Sequence, residues 1–453
     1  MIKLPFEVQV IKDFPAKRIE FLVCTKLLRA VPGSRAVYNA TWEAREVIAK
    51  VFGRRLRAKR HLKREWDGLC LLLDRGMNVP KPLFYGRTES GQYVIVIERI
   101  EDSQTALDLF QAAKTHREKF ELLSILFRHL AGQHSKGVFQ RDLHLGNFLI
   151  KRKQVFMLDP AQVRFYRKQV PKRRCISQLA SLARYLRSED VESLSELCRQ
   201  YACARNWKFG KSDETLFRKQ LTVHRKRAIK TGLKKLLRTS KRYLRIKSGK
   251  YRGVFDRGFC RGAEPVEFIK QVDPMMDSGQ ILKKGNTSYV SHFKWNGKDI
   301  VVKRYNHKGV WHSLRHTIKG SRARRCWLYA HWLLMLTIPT AKPLAFIECY
   351  EGPVLWKSYF FTEYVAGRTL REFLGNSNIS NQERSRQIQQ IEKIIHRLNA
   401  YRLTHGDLKF SNILLTDEGP VLTDLDGMRS SRLSFMHSSK DAARFAQLKD
   451  EAL

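Results

Sequence analysis

Two stretches of this 453-residue chain repeat one another, and no other feature limits its possible folds so strongly. Gln140-Arg141-Asp142-Leu143-His144-Leu145-Gly146-Asn147 and His405-Gly406-Asp407-Leu408-Lys409-Phe410-Ser411-Asn412 each set an Asp five residues before an Asn. An apolar trio follows each (Phe148-Leu149-Ile150; Ile413-Leu414-Leu415), and a second Asp stands 12 residues beyond each Asn (159 − 147; 424 − 412). The offset is 265 at all three positions (407 − 142, 412 − 147, 424 − 159). One such Asp and Asn is commonplace, as a helix cap and a turn. Two copies at equal spacing imply one structural unit present twice.

Each copy also has an apolar strand ending in lysine upstream, Val47-Ile48-Ala49-Lys50 and Val301-Val302-Lys303. That set answers the needs of phosphoryl transfer, where a protein supplies positioning and charge neutralisation rather than covalent chemistry. A strand lysine grips phosphates, a helix carboxylate holds the lysine, and a loop Asp orients the acceptor hydroxyl. An Asn and a second Asp offer the hard oxygens that Mg²⁺ requires. The first set is Lys50, its partner Glu65, the base Asp142 and the metal ligands Asn147 and Asp159. The second is Lys303, Asp407, Asn412 and Asp424, with Lys409 placed to steady the phosphoryl group. Gly33 and Ser34, and Gly285 and Ser288, are the candidate phosphate-loop residues; Glu98 and Glu363, ending the strands that lead out of each sheet, are grouped with the nucleotide site.

The surrounding pattern gives an α+β chain of two tandem, bilobal, protein-kinase-like units. Each has a small antiparallel-sheet lobe followed by a helical lobe, truncated in the second copy. In the first unit, strands at about 35–42, 46–52 and 93–98 enclose a basic helix at about 55–74 capped by Gly76. Helices at about 106–114 and 117–136 lead to the Asp142 loop. In the second, 288–295 and 298–305 form a hairpin around Asn296-Gly297. A helix at about 321–336, a strand at 359–364 and helices at about 370–374 and 382–400 follow. The units are drawn at 1–240, with a basic helical tail over about 205–245, and 246–453.

Departures from the kinase pattern are specific. Pro32-Gly33-Ser34-Arg35 and Gly285-Asn286-Thr287-Ser288 each carry one glycine where a Gly-rich loop has three. Gln140 stands where the loop usually has His, and Asp159-Pro160-Ala161 and Asp424-Leu425-Asp426-Gly427 replace D-F-G. The second helix reads Arg324-Arg325-Cys326-Trp327 against Arg64-Glu65-Trp66, and no Asp or Glu falls between Asp299 and Glu348. Lys303 must therefore be held by something other than a helix carboxylate. With no A-P-E element and 29 residues after Asp424, control by a phosphorylated activation segment is not expected.

Hydrophobic content of 43% supports real cores, and a net charge of +43 predicts attraction to polyanions. The eight scattered cysteines include no C-x-x-C pair, which favours free thiols in a reducing compartment. No signal segment or spanning run is recognised. The densest charge lies at 218–252, with 15 Lys or Arg and no acid. Ile229, Leu233, Leu236, Leu237 and Leu244 recur there at helical spacing, which reads either as a helix docked on its own domain or as one lying on an anionic leaflet. Specific nucleic-acid binding is not expected, because no RNA motif or zinc finger accompanies the charge.

At the QRDLHLGNFLI and HGDLKFSNILL loops, the MLDP and LTDLDG aspartates and the NVPKPL and IPTAKPL stretches, the chain resembles the bacterial lipopolysaccharide core kinases, the family of the heptose and Kdo kinases. The second loop is also similar to RIO and Bud32-like atypical kinases. The resemblance implies ATP- and Mg²⁺-dependent phosphorylation of a sugar hydroxyl on the lipopolysaccharide inner core. The partner would be core oligosaccharide or a lipid-linked intermediate, met at the cytoplasmic face of the inner membrane of a Gram-negative bacterium. A non-catalytic or half-active scaffold, or a kinase for a protein or another small molecule, stays open at this point.

Overall fold

Alternating apolar and polar residues make the opening of the chain strand-forming throughout. In a computed structural model describing residues 4–31, 34–53, 57–186, 191–260, 264–306, 320–430, 441, 443, 445 and 446, these strands close on themselves. The chain divides into two units, Met1–Lys226 and Arg227–Leu453.

In the first unit, β1 (Phe6–Phe14), β2 (Arg18–Val31), β3 (Arg35–Trp42), β4 (Arg45–Phe52), β5 (Pro82–Thr88) and β6 (Tyr93–Glu98) form a closed antiparallel barrel in the order β1-β2-β3-β4-β6-β5. Period-two alternation sends Val47 and Ala49 of β4 into the barrel interior with Leu22, Phe84, Val94 and Val96. Ile48 and Phe52 pack instead with the cluster that contains helix α1 (Ala58–Asp74). Lys50 shares the parity of those two residues. Gly76 takes φ +62° after α1 and its N–H reaches the Leu73 carbonyl, as its capping role requires.

Beyond the barrel lie α2 (Ala106–Ala112), α3 (His116–Ser135), the hairpin of β7 (Phe148–Lys151) and β8 (Gln154–Met157), then α4 (Lys172–Ala183), α5 (Val191–Ala204) and α6 (Lys211–Lys235). Thr115 and Glu118 build a reciprocal capping box at the start of α3.

The second unit repeats the strand order with two changes, an added edge strand and an open end. Its sheet runs β9 (Tyr243–Ser248), β10 (Tyr251–Asp256), β14 (Pro343–Glu351), β15 (Val354–Glu363), β13 (Lys298–Tyr305), β12 (Ser288–Trp295) and β11 (Gln280–Gly285). β10 pairs with β14 as β1 pairs with β5. In the first unit a tight turn joins β1 to β2, which pair; here α7 (Glu264–Ser278) is inserted between the corresponding β10 and β11, which do not pair, and the sheet stays open. α7 covers one sheet face through Phe268, Ile269, Val272 and Met276 against Ile300, Val302 and Phe361. The other face takes helix α8 (Arg322–Met335), whose Trp327 is fully buried with Tyr305, Phe346 and Phe360. Then come α9 (Leu370–Leu374), α10 (Asn381–Ala400) and the hairpin of β16 (Ile413–Thr416) and β17 (Gly419–Leu422). Asn296 and Gly297 turn the β12–β13 hairpin at φ +48° and +74°. Glu43 and Ala44 make the corresponding turn at φ +46° and +62° without a glycine.

The basic stretch 218–252 is not one helix. Its first part continues α6 to Lys235; its last part is β9 and the start of β10. Leu244, read as the end of an apolar helix face, lies on a strand paired with Phe255. The helical tail therefore ends near 235, and the segment to 245 and beyond is built into the second sheet. Leu236 is buried in the second unit's core with Leu233 and Leu237 against it, so the apolar side of this region is already occupied. All eight cysteines are free thiols. Among the described residues no helix is long and apolar enough to cross a membrane.

Candidate active site

Each repeated loop is folded by the same local bonds. In the first unit the Asn147 amide donates to the Asp142 carbonyl at 2.8 Å, and the Leu158 N–H donates to the Asn147 carbonyl at 2.8 Å. In the second, Asn412 donates to the Asp407 carbonyl at 2.8 Å and to its carboxylate at 3.3 Å, while the Thr423 N–H reaches the Asn412 carbonyl at 2.9 Å. Each Asn thus links its loop Asp to the strand before the second Asp. Those second Asp residues share an unusual backbone, with φ, ψ of 57°, 59° at Asp159 and 53°, 66° at Asp424. Left-handed geometry at a non-glycine residue costs about 1–2 kcal/mol, and it recurs in both units at the position expected to bind metal.

The loops are anchored differently. His405 replaces Gln140 in the second unit; its Nε2–H donates to the Thr423 carbonyl at 3.0 Å, and burial lowers its pKa against the opposing pull of that bond and the nearby carboxylates. Asp441, which sequence reading passed over, accepts the backbone N–H groups of His405 and Gly406. In the first unit Gln178 of α4 donates to the Gln140 carbonyl, and its own oxygen contacts buried His134 Nε2 at 2.7 Å.

Lys50 and Glu65 form the expected ion pair, with the carboxylate side chain only 1% exposed. Arg35 joins them, 3.5 Å from Glu65 and 3.6 Å from Asp159. It therefore ties the phosphate loop, helix and metal Asp together. Its place directly after Gly33 and Ser34 was the available signal.

Lys303 is held from elsewhere, as the lack of acids in α8 required. Its ammonium lies 2.5 Å from Asp424 and 2.8 Å from Asp426. Asp426 also accepts from Arg322 at 2.7 Å, from Cys326 at 3.0 Å and from the Tyr305 hydroxyl. Burial pushes the Asp426 carboxyl up, but Lys303 and Arg322 more than reverse it and bring it to about 2. Burial acts against the Lys303 charge, and Asp426 and Asp424 outweigh it to raise its pKa.

Lys409 lies 3.0 Å from Asp407. The residue at the same place in the first loop is His144, 3.8 Å from Asp142. Ser288 pairs with Gly285 across a two-residue turn, and Ser34 donates its N–H to the Val31 carbonyl at 3.0 Å. Gly33 lies outside the described residues. Glu98 and Glu363 brace the Lys-Pro turns ahead of β5 and β14: Glu98 accepts the Lys81 N–H at 3.1 Å, and Glu363 pairs with Lys342 at 2.5 Å. Their carboxylates are engaged there.

Among the described residues no group of three or more His, Cys, Asp or Glu is placed to hold a metal by itself. One Asn and one Asp per unit suit a cation that takes its other oxygens from phosphate and water. The donors are hard oxygens, and the nearby lysine matches phosphate charge, so the residues present fit magnesium and a nucleotide.

Fold and site define a protein-kinase-like phosphotransferase. Residues 268–449 match the model of the lipopolysaccharide kinase (Kdo/WaaP) family, a span that runs from α7 through the Asp407 loop and Asp441. The enzyme is an ATP-dependent kinase. Among solved structures, that of vaccinia related kinase 3 is similar at a TM-score of 0.31 and 7% identity, covering 49% of this chain and 85% of that one. No curated protein matches.

Proposed function

We propose that this kinase phosphorylates a sugar hydroxyl, on heptose or Kdo, of the lipopolysaccharide inner core, and that the second unit carries the reaction. The observation that carries this reading is the Asp407–Lys409–Asn412 cluster, lying within the segment that matches the family. Asp407 orients the acceptor hydroxyl and takes its proton as the sugar oxygen bonds to the γ-phosphorus and ADP departs. Lys409 and Lys303 balance charge at the two ends of the transferring group. Asn412 fixes the Asp407 rotamer and, with Asp424, would hold magnesium, which when bound neutralises charge on the phosphate oxygens.

The first unit keeps a lysine–glutamate pair and the Asn147–Asp159 oxygens, which supports nucleotide binding there as well. With His144 in place of Lys409 it lacks the loop ammonium, and a supporting role suits it. Lipid-anchored acceptor suits a chain of net charge +43 working at the cytoplasmic face of the inner membrane. The basic segment 218–252 would contribute charge chiefly, since Leu221, Leu233, Leu236 and Leu237 are packed into the cores. Exposed apolar residues occur instead on β2, at Ile19, Phe21, Val23, Leu27 and Leu28.

The test is turnover of ATP with core oligosaccharide by Asp407→Ala and Asp142→Ala. Asp407→Ala should abolish turnover and Asp142→Ala should retain most of it. Full activity in Asp407→Ala refutes the assignment, and a deletion strain with unchanged core phosphate refutes the acceptor.

A further inference from the structure

The two units take their lysine-binding carboxylate from different elements, Glu65 from helix α1 in the first and Asp426 from the loop after Asp424 in the second. Glu65 precedes the inward Trp66 of α1, and Cys326 precedes the buried Trp327 of α8. Two residues after the metal Asp, the first unit has Ala161 and the second Asp426. The exchange is reciprocal: where the helix supplies Glu the loop supplies Ala, and where the helix supplies Cys the loop supplies Asp. A glutamate at 326 would compete for the space and the charge that Asp426 now fills. The shorter thiol instead donates to Asp426 at 3.0 Å.

Resting on the assignment of Lys303 as the phosphate lysine, we propose that Asp426 is its positioning residue, performing from the loop the task that Glu65 performs from the helix. Four groups fix the carboxylate. Arg322 and Lys303 meet one oxygen at 2.7 and 2.8 Å, while Cys326 and Tyr305 donate to the other. Such a carboxylate cannot swing away to become a ligand for substrate. Asp424, by contrast, contacts Lys303 alone among these groups and can be taken by a cation without leaving the lysine unheld.

The experiment compares Asp426→Asn, Asp426→Ala, Cys326→Glu/Asp426→Ala and Asp407→Ala in the full chain. Turnover, calorimetric affinity for a non-hydrolysable ATP analogue with magnesium, and the unfolding midpoint without nucleotide are measured. Asp426→Asn, close in shape to the native residue, should weaken analogue binding by about ten-fold or more and cut turnover further. The double variant should recover about ten-fold of the turnover that Asp426→Ala loses, because a carboxylate is again present beside Lys303. Analogue affinity within about two-fold of wild type in Asp426→Asn, even with a lowered midpoint, means a merely structural residue and overturns the proposal. If the double variant does not fold, the Asp426→Asn affinity decides alone. Asp407→Ala separates the two readings: it should lose turnover and keep analogue affinity. Undiminished turnover there would refute the catalytic assignment itself, whatever Asp426 does.

Discussion

The loop bearing Asp407 and the loop bearing Asp424 meet backbone to backbone through two glycines, so a single methyl group should separate the catalytic residues. A Cβ on Gly427 would stand 2.7 Å from the His405 carbonyl oxygen and 3.2 Å from the Asp407 nitrogen. A Cβ on Gly406 would stand 2.4 Å from the Gly427 carbonyl oxygen, at a residue whose φ is +78°. Ordinary contact begins near 3.4 Å, so Gly427→Ala must open the gap by about 0.7 Å. Backbone atoms lie on both sides and no flexible side chain can yield. Overpacking of this kind costs about 1–3 kcal/mol, and Gly406→Ala adds about 1–2 kcal/mol of left-handed strain.

For a unit of this size each kcal/mol lowers the unfolding midpoint by about 2–4 °C. Gly427→Ala should therefore lose roughly 2–12 °C and Gly406→Ala more. Displacing a catalytic group by 1 Å can cost about 100-fold in rate, so turnover should fall by roughly 10- to 100-fold in either variant. Calorimetry and a coupled ADP assay measure both. Gly375→Ala is the control, since its Cβ would meet nothing nearer than 3.4 Å and should stay within about 0.5 kcal/mol of wild type. A Gly427→Ala protein that melts early yet turns over normally would show that the contact supports the fold without aligning the two aspartates.

In the first unit, Glu65→Ala leaves Lys50 and Arg35 without their shared anion and should destabilise by about 3 kcal/mol or more, whereas Glu65→Gln keeps the side chain's shape and one acceptor oxygen and should lose less; chemical denaturation ranks them. Buried His331, packed between Tyr243 and Trp327, is held at about 3 by desolvation. Its depressed value favours the fold above pH 6.5 and loses that contribution as pH falls toward 3, by about 2 kcal/mol between pH 6.5 and 5. His331→Phe should flatten the pH dependence of the unfolding midpoint over that interval, and an unchanged slope rejects the cause. Exposed Cys203 should react first with a maleimide, while Cys198 and Cys260, both pushed up to about 12 by burial, stay unlabelled until the protein unfolds; mass spectrometry of the labelled peptides decides.

Much of this was legible in the sequence because it follows from short-range rules. Strands 35–42, 93–98, 288–295 and 298–305 and the helices around them announce themselves by period and turn chemistry. The candidate loops announce themselves by repetition. Part of what was missed had a local signal, the alternation of β1 and β2 ahead of the first strand read at about 35; the rest has long-range causes. In the basic segment, Leu244-Arg245-Ile246-Lys247 alternates as an edge strand does, yet Leu237 to Leu244 also fits two helical turns. Pairing with β10 decides between them, and no local signal reports it. The partner of Lys303 lies 123 residues away at Asp426, and the anchor of the His405 loop lies at Asp441, beyond the last motif. The lack of an acid in α8 was visible; which carboxylate filled the gap was not.

The origin of that carboxylate has a mechanical consequence. A buried ammonium without a partner is disfavoured by several kcal/mol, so whatever carries the partner controls the lysine. In the first unit that element is helix α1, which presses against the metal-Asp loop so closely that a Cβ on Gly68 would sit 2.8 Å from the Pro160 carbonyl oxygen. Displacing α1 would strip Glu65 from Lys50 and disturb Asp159 together. In the second unit the partner rides on the loop that also carries Asp424. Displacing α8 would remove Arg322 and Cys326 from Asp426 while leaving the Lys303 pair in place. A switch that works by swinging the helix can break the first pair directly and the second only through a change in its loop. In the second unit the lysine, its carboxylate and the metal Asp therefore stay assembled whether or not the helix moves.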